Sequence, residues 1–541
     1  MIPDVTLNGV FYLPPTGWLT SFYNPPLNIE YSSDILNLNN VHIPIPYKFD
    51  VRDVYKMADS DKSQAAKLGL MGLIALCVSA MVGSGVFDLP KNMSMEAGLT
   101  AQIISWVITG IGIWFIAQMF VILSDVKPDL TAGLYKYAQV GFGSFSGYFT
   151  AWAYFVCECA ANAAYAVLTM STLDYFFPGT FTGGNNWPSV IGASIITWAI
   201  TALVLRGVEV SSKVQQVATV VMLAVVCVFI VTVIAHFNFH TFTLNADASR
   251  SISSVSDKAL GSVTHQVMNT MMVTLWLFGG IEGAVVMSGK ARNVKQVPTA
   301  TITGFIICLV MYALVGTLSL GAYSYGQLAK MTSPSTAYIL TDLWHSTLGR
   351  DVITIALLFA VFSSWISWIQ MLAELPQHAA KEDGSFPKAF AKTNKSGTPA
   401  FSIIVATVVI EIIILIAHFD ESAYQMLLTI VGVMTIPPYL FSAMYLIKIS
   451  LPSSNEFPTN TKHRQWAGLT MGILAFAYII FMAFSANIKY TLISFIFYAA
   501  GIPLYMWARH QHGKQIFTKS ELIFAIVIVL VAIYGIYDLV H

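Results

Sequence analysis

The chain has 541 residues, 56% of them hydrophobic and only 10% charged, with a mean hydropathy of +0.67. Soluble domains carry about 25% charged residues, so the composition excludes a soluble fold. The 28 basic and 28 acidic residues balance, which removes the electrostatic case for nucleic acid as a partner.

Residues 1–56 are rich in Pro, Asn and aromatic residues and show no helical period, so this segment is expected to be disordered. The stretch MADSDKSQAAKLGLMG from Met57 reads as a short charged leader before an apolar run. Residues 1–56 are then either a regulatory cytoplasmic tail or sequence upstream of the true start. Thirteen apolar runs follow, each long enough to cross a bilayer: 68–96, 100–123, 145–177, 188–206, 214–236, 264–289, 298–323, 351–376, 400–418, 422–447, 466–486, 489–508 and 521–540. The chain is therefore expected to be a polytopic α-helical membrane protein. With the N-terminus taken as cytoplasmic, most of the 28 Lys and Arg fall on the inner side, as in the Lys290–Arg292–Lys295 group after the sixth run. This places the C-terminus outside. The five cysteines all sit within spans and suggest neither a disulfide nor a metal site, and no cofactor is expected.

The first span contains MVGSGVF, with Val82, Gly83, Ser84 and Gly85 in its middle. In hydrocarbon every backbone N–H and C=O must be satisfied internally, so a break survives only against protein or a cavity. Close helix packing is one reason for such a cluster. A binding site is the other, because unwinding exposes N–H groups at a positive helix end that suit a carboxylate. The sixth span repeats the feature. It reads TMMVTLWLFGGIEGAVV, with Gly279, Gly280 and Gly283 around an intramembrane acid, Glu282. Two glycine-interrupted spans five apart argue for a secondary transporter built from inverted repeats, with its site between them.

Three stretches resemble the amino acid–polyamine–organocation transporters: MVGSGVFDLP, WLFGGIEGAVVMSGKARNVKQVPTAT and AELPQHAAKEDGSFPKAFAKTNKSGTP. GQLAKMTSPSTAYIL and LVLRGVE are similar to the basic amino acid antiporters, chiefly arginine/ornithine exchangers and lysine permeases. The resemblance runs from about residue 65 to 510. It implies a core of two inverted five-helix repeats over 57–447 (spans 1–10), with peripheral spans 11–13 over 448–541. It also implies a substrate site between broken spans 1 and 6, flanked by spans 3, 8 and 10. The function implied is exchange of cationic amino acids by alternating access at a bacterial inner membrane.

Several side chains carry over on the same resemblance. Val82, Gly83, Ser84, Gly85 and Gly279 would supply backbone groups to the amino acid. Trp276 matches an aromatic that stacks on a guanidinium, and a planar cation over an indole is favourable by about 0.5–2 kcal/mol. Asn162 matches a third-span asparagine that contacts substrate, although a helix–helix hydrogen bond would explain it as well. Glu282 matches a glutamate tied to gating and proton sensing, and Tyr154 lies two turns before Asn162 on nearly the same face. Of Trp365 and Trp368 in span 8, one is expected to line the path. Glu374 would either attract a cation leaving inward or meet a loop lysine.

Three residues depart from the pattern. Glu158, one turn before Asn162, would add attraction for a dibasic substrate or pair elsewhere. Glu411 in span 9 has no account. Span 5 carries Met222 near the place where many relatives hold a lysine, which leaves exchange and proton symport both open. The alternative function is a glutamate, γ-aminobutyrate or neutral amino acid carrier of the same superfamily. A channel or membrane enzyme is the remote reading, since the chain shows neither a repeated filter motif nor HExxH. The expected partners are the amino acid, the lipid bilayer, a proton in the symport reading, and a second copy in an oligomeric one.

Overall fold

The computed structural model describes residues 30–32, 35–38, 41–44, 67–250, 257–419, 423–458, 461–485 and 488–540. Within the segment expected to lack regular structure, β1 (Glu30–Ser32), β2 (Ile35–Leu38) and β3 (Val41–Pro44) pair antiparallel in the order β1-β2-β3. Each strand pair is joined by two residues, Ser33-Asp34 and Asn39-Asn40, a length and composition that suit tight hairpins. The rest of 1–56, and Met57 itself, lie outside the described residues.

The second unit begins at Ala66, and its regular elements among the described residues are all helices, apart from one bridge between Leu68 and Ala291. Span 1 is two helices, α1 (Leu70–Met81) and α2 (Gly85–Glu96). Span 2 is α3 (Leu99–Val126), followed by the short α4 (Leu134–Phe142). Spans 3, 4 and 5 are α5 (Ser144–Leu173), α6 (Trp187–Leu205) and α7 (Val208–Ala235). A small α8 (Phe239–Leu244) precedes span 6, which splits into α9 (Val263–Leu277) and α10 (Gly283–Val286). Span 7 is α11 (Val297–Leu318); α12 (Tyr325–Ala329) and α13 (Ser335–Leu343) connect it to span 8, α14 (Leu348–His378). Span 9 is α15 (Ala400–Ala417). Span 10 also divides, at Thr435, into α16 (Ala423–Met434) and α17 (Ile436–Ser450). Spans 11–13 are α18 (Gln465–Ser485), α19 (Ile488–Gln511) and α20 (Lys519–Val540).

Among the described residues, twelve helices are long and apolar enough to cross a membrane. The sixth of the thirteen expected spans falls short of that length because it is interrupted at 278–282. The five cysteines are all free.

Spans are tied by buried hydroxyls rather than by apolar contact alone, since lipid offers no hydrophobic drive between helices. Ser105 meets Thr270 at 2.6 Å and Thr109 donates to Thr274 at 2.9 Å, joining spans 2 and 6. Thr201 meets Thr407 at 2.8 Å between spans 4 and 9. Glu411 finds its place in the same interface, accepting from Ser194 Oγ at 2.7 Å. The start of span 1 and the segment after span 6 share backbone. Leu68 N–H donates to Lys290 O, and Arg292 N–H donates to Leu68 O, both at 2.8 Å.

Spans 12 and 13 grip span 3 and the end of span 8. Tyr148 OH donates to Gly501 O at 2.6 Å and Trp152 Nε1 to Phe497 O at 2.9 Å. Arg509 and Lys514 both donate to Asp383 O, at 3.0 and 2.6 Å. Glu521, in the first turn of α20, accepts from Phe145 N at 2.8 Å and so caps the start of α5.

Candidate functional site

Two broken helices meet at the centre. In span 1, α1 ends at Met81, and the chain turns through Val82–Ser84 before α2 opens at Gly85. Val82 N–H reaches Val78 O at 2.7 Å and Gly83 N–H reaches Met81 O at 3.0 Å. Of the carbonyls at the end of α1, that of Ala80 is taken by Trp368 Nε1 of span 8 at 3.2 Å. Gly83 leaves no room for a side chain: a Cβ there would stand 2.8 Å from the Tyr165 hydroxyl.

In span 6, α9 ends at Leu277, whose carbonyl accepts from Tyr312 OH at 3.1 Å. Gly280 adopts φ +106°, a left-handed conformation, and its backbone rests against Ala80 and Met81 of span 1. The two breaks are thus in backbone contact. Glu282 lies fully buried within the second break. Its Oε1 accepts from Tyr154 OH at 3.0 Å, and its Oε2 accepts from Gly280 N at 3.1 Å and from Tyr439 OH. One carboxylate therefore ties the break to spans 3 and 10.

Between the breaks lies a small, partly enclosed cavity of about 30 Å³. Span 1 contributes Ala80, Met81, Gly83 and Gly85, and span 6 contributes Leu277 and Gly279. Span 3 adds Glu158, Ala161 and Tyr165, span 8 adds Trp368, and Thr435 lies with its neighbours on span 10.

The structure separates the residues expected at the site. Gly83, Gly85, Gly279, Trp368 and Glu158 line the cavity. Val82 and Ser84 are buried in the break beside it. Asn162 is buried one turn on from Glu158, with its Nδ2 donating back to Glu158 O at 2.6 Å. Trp276 stands one residue before the end of α9; its side chain lies outside the described residues. Of the two span-8 tryptophans, Trp368 faces the cavity, and Trp365 is fully buried away from it. Tyr154 touches Glu282 and has its ring 6.3 Å from Trp368.

Glu374 is remote from the cavity. It faces Lys290 at 3.5 Å and His378 at 3.7 Å. His378 in turn meets Glu382 at 2.7 Å, and Lys136 meets Glu382 at 2.5 Å. This makes a ladder along the C-terminal end of span 8 that joins the segment after span 6 to α4.

Tyr165, Tyr312, Tyr439 and Thr435 were not singled out from the sequence. Tyr165 follows Glu158 by seven residues, two helical turns, so its place on the same face was readable. Pro437-Pro438 marks the division of span 10 in the same way. Nothing local points to Tyr312.

The Trp368 hydrogen bond yields an expected result. Trp368→Phe removes the indole donor to Ala80 O and is expected to cost about 1–3 kcal/mol, the penalty for a lost buried hydrogen bond. Trp365→Phe removes the same volume but no hydrogen bond, since Trp365 Nε1 has no partner among the described residues. Thermal unfolding of both variants in detergent measures the difference. Equal losses would show that the Trp368 bond contributes nothing.

The amino acid permease family profile matches residues 68–533 of this chain. The chain belongs to the amino acid permease family. Relatives align over nearly their whole lengths. An arginine/agmatine antiporter of Chlamydia felis is 38% identical, across 89% of this chain and 98% of its own length. The arginine/agmatine antiporter of Chlamydia pneumoniae is 37% identical, across 88% and 98%. A Clostridium perfringens protein assigned to amino-acid transport is 43% identical, across 87% and 97%. The permease is therefore a transporter of amino acids and not an enzyme.

Proposed function

We propose that this permease exchanges arginine for a second basic metabolite, agmatine or ornithine, by alternating access. The observation that supports this most directly is the backbone contact between the two broken spans beside a small, acid-bearing cavity. The start of α2 presents helix N–H groups to a carboxylate, and the end of α9 presents carbonyls to an ammonium. The names of the Chlamydia relatives support the choice of arginine and agmatine. Lysine is a further candidate on the basic-subgroup resemblance.

Glu282 serves as the gate residue in this reading, because its three donors come from spans 3, 6 and 10. Trp276 is the proposed stacking partner for the substrate's cation. In this reading the N-terminus is cytoplasmic, which the excess of Lys and Arg in alternate loops supports, and the membrane is a bacterial inner membrane, which the family resemblance supports. Exchange needs no driving ion, and a proton would be coupled through Glu282 if at all.

Counterflow in proteoliposomes tests the reading. Vesicles loaded with agmatine, ornithine, lysine or arginine are expected to accelerate labelled arginine uptake, whereas glutamate, γ-aminobutyrate and leucine are not. Acceleration by glutamate or leucine alone would assign the permease to the other substrate class.

A further inference from the structure

We propose that Glu158 is the counter-charge for the substrate's side-chain cation, and that it selects a dibasic amino acid over its neutral isostere. This rests on the exchange reading above. Among the described residues, Glu158 is the one charged side chain lining the central cavity. It is 2% exposed, and its Oε2 has no hydrogen-bond partner. The contrast with Glu282 is informative. Glu282 is equally buried, yet both its oxygens are satisfied by Tyr154, Tyr439 and Gly280, and it lies off the cavity wall.

Three donors near Glu158 are committed elsewhere. Thr435 Oγ1 donates to Val431 O at 2.8 Å, Asn162 Nδ2 to the backbone oxygen of Glu158 at 2.6 Å, and Trp368 Nε1 to Ala80 O at 3.2 Å. None of these three bonds goes to the carboxylate, whose side-chain partner is the thiol of its chain neighbour Cys157 on the same helix and whose Oε2 stays unpaired. A structural acid holding helices together would show a bond to another helix, as Glu282 and Glu411 do.

Charge balance supplies the selectivity. The carboxylate and ammonium common to all amino acids cancel, and the backbone groups of the two breaks address them. A side-chain cation leaves one positive charge, and Glu158 offers one negative charge in a site otherwise walled by neutral residues. A neutral side chain of the same shape would seal an unpaired carboxylate in a medium of low dielectric, where the penalty exceeds what a pair gains. Discrimination then comes mainly from rejection of the neutral analogue, as in any site whose buried polar group is left unmatched.

The test uses arginine and citrulline, which differ by exchange of a guanidinium for a neutral urea. Wild type, Glu158→Gln and Glu158→Asp are reconstituted, and unlabelled arginine or citrulline competes against labelled arginine in counterflow. Wild type is expected to favour arginine strongly. In Glu158→Gln the arginine-over-citrulline ratio is expected to fall roughly 10- to 100-fold, the range for a hydrogen bond to a charged group. Glu158→Asp is expected to keep part of it, which separates lost charge from lost fold. A Glu158→Gln variant that retains the wild-type ratio overturns the assignment while leaving the exchange reading intact. Equal weakening of both ligands also overturns it, because Glu158 would then hold the ammonium they share. Wild type that accepts citrulline as readily as arginine overturns the dibasic reading together with this one.

Discussion

Gly280→Ala is expected to abolish transport and to lower the unfolding temperature more than any other single methyl addition at the centre. Two independent costs meet at this position. The backbone there has φ +106°, which an L side chain rarely adopts and which costs about 1–2 kcal/mol. The added Cβ would also stand 2.6 Å from Ala80 Cβ, 2.8 Å from Ala80 C and 3.0 Å from Met81 N. Two of those three neighbours are backbone atoms and cannot rotate away. Overpacking of this kind costs about 1–3 kcal/mol, so the sum is about 2–5 kcal/mol. The control is Gly289→Ala, where a Cβ would make only ordinary contacts at 3.7 Å with His378 and Thr131. It is expected to change stability by about 0.5 kcal/mol or less. Melting curves and arginine counterflow measure both variants. Wild-type behaviour of Gly280→Ala would show that spans 1 and 6 do not need this close approach.

Glu282→Ala is the second large effect. It withdraws the acceptor from Tyr154 OH, Tyr439 OH and Gly280 N–H together. Each orphaned buried donor costs about 1–3 kcal/mol, and the two hydroxyls recover part of that by rotating toward other oxygens. A net loss of about 2–4 kcal/mol is expected, with transport below detection. Glu282→Gln keeps one acceptor oxygen and the same shape, so folding is expected to survive. Its amide cannot titrate, so the exchange rate of Glu282→Gln is expected to vary less with pH than that of wild type. Exchange measured across the pH range decides this. Superimposed profiles for wild type and Glu282→Gln would remove Glu282 as the proton-sensitive group.

The broad plan was legible because it rests on local rules. Apolar length marks a span, and glycine marks a place where hydrocarbon tolerates unwinding only with compensation. The positions of both breaks followed from that. The compensation itself was not legible. Trp368 answers Ala80 from 288 positions away, and Tyr312 and Tyr439 answer Leu277 and Glu282 from spans 7 and 10. No period or motif near those residues records the pairing, so Trp365 and Trp368 were equivalent until their faces were known. Glu374 shows the same limit. Its choice between a passing cation and a loop lysine depended on where Lys290 folds, and the structure sets the two 3.5 Å apart. Glu411 had no reading at all until Ser194 on span 4 came opposite to it. Span 10 divides at Thr435 just before Pro437-Pro438, a break that proline marks as locally as glycine does.

Glu521 turns the thirteenth span into a surveyor's fixed mark. Its carboxylate holds the first turn of α5, while Tyr148 and Trp152 bind the twelfth span, so spans 3, 12 and 13 share one frame. Spectroscopic labels placed on span 13 and on span 3 should keep a constant separation through the cycle. Any label pair from span 13 to spans 1 or 6 then reads the motion of the broken helices alone, free of the tumbling of the rest.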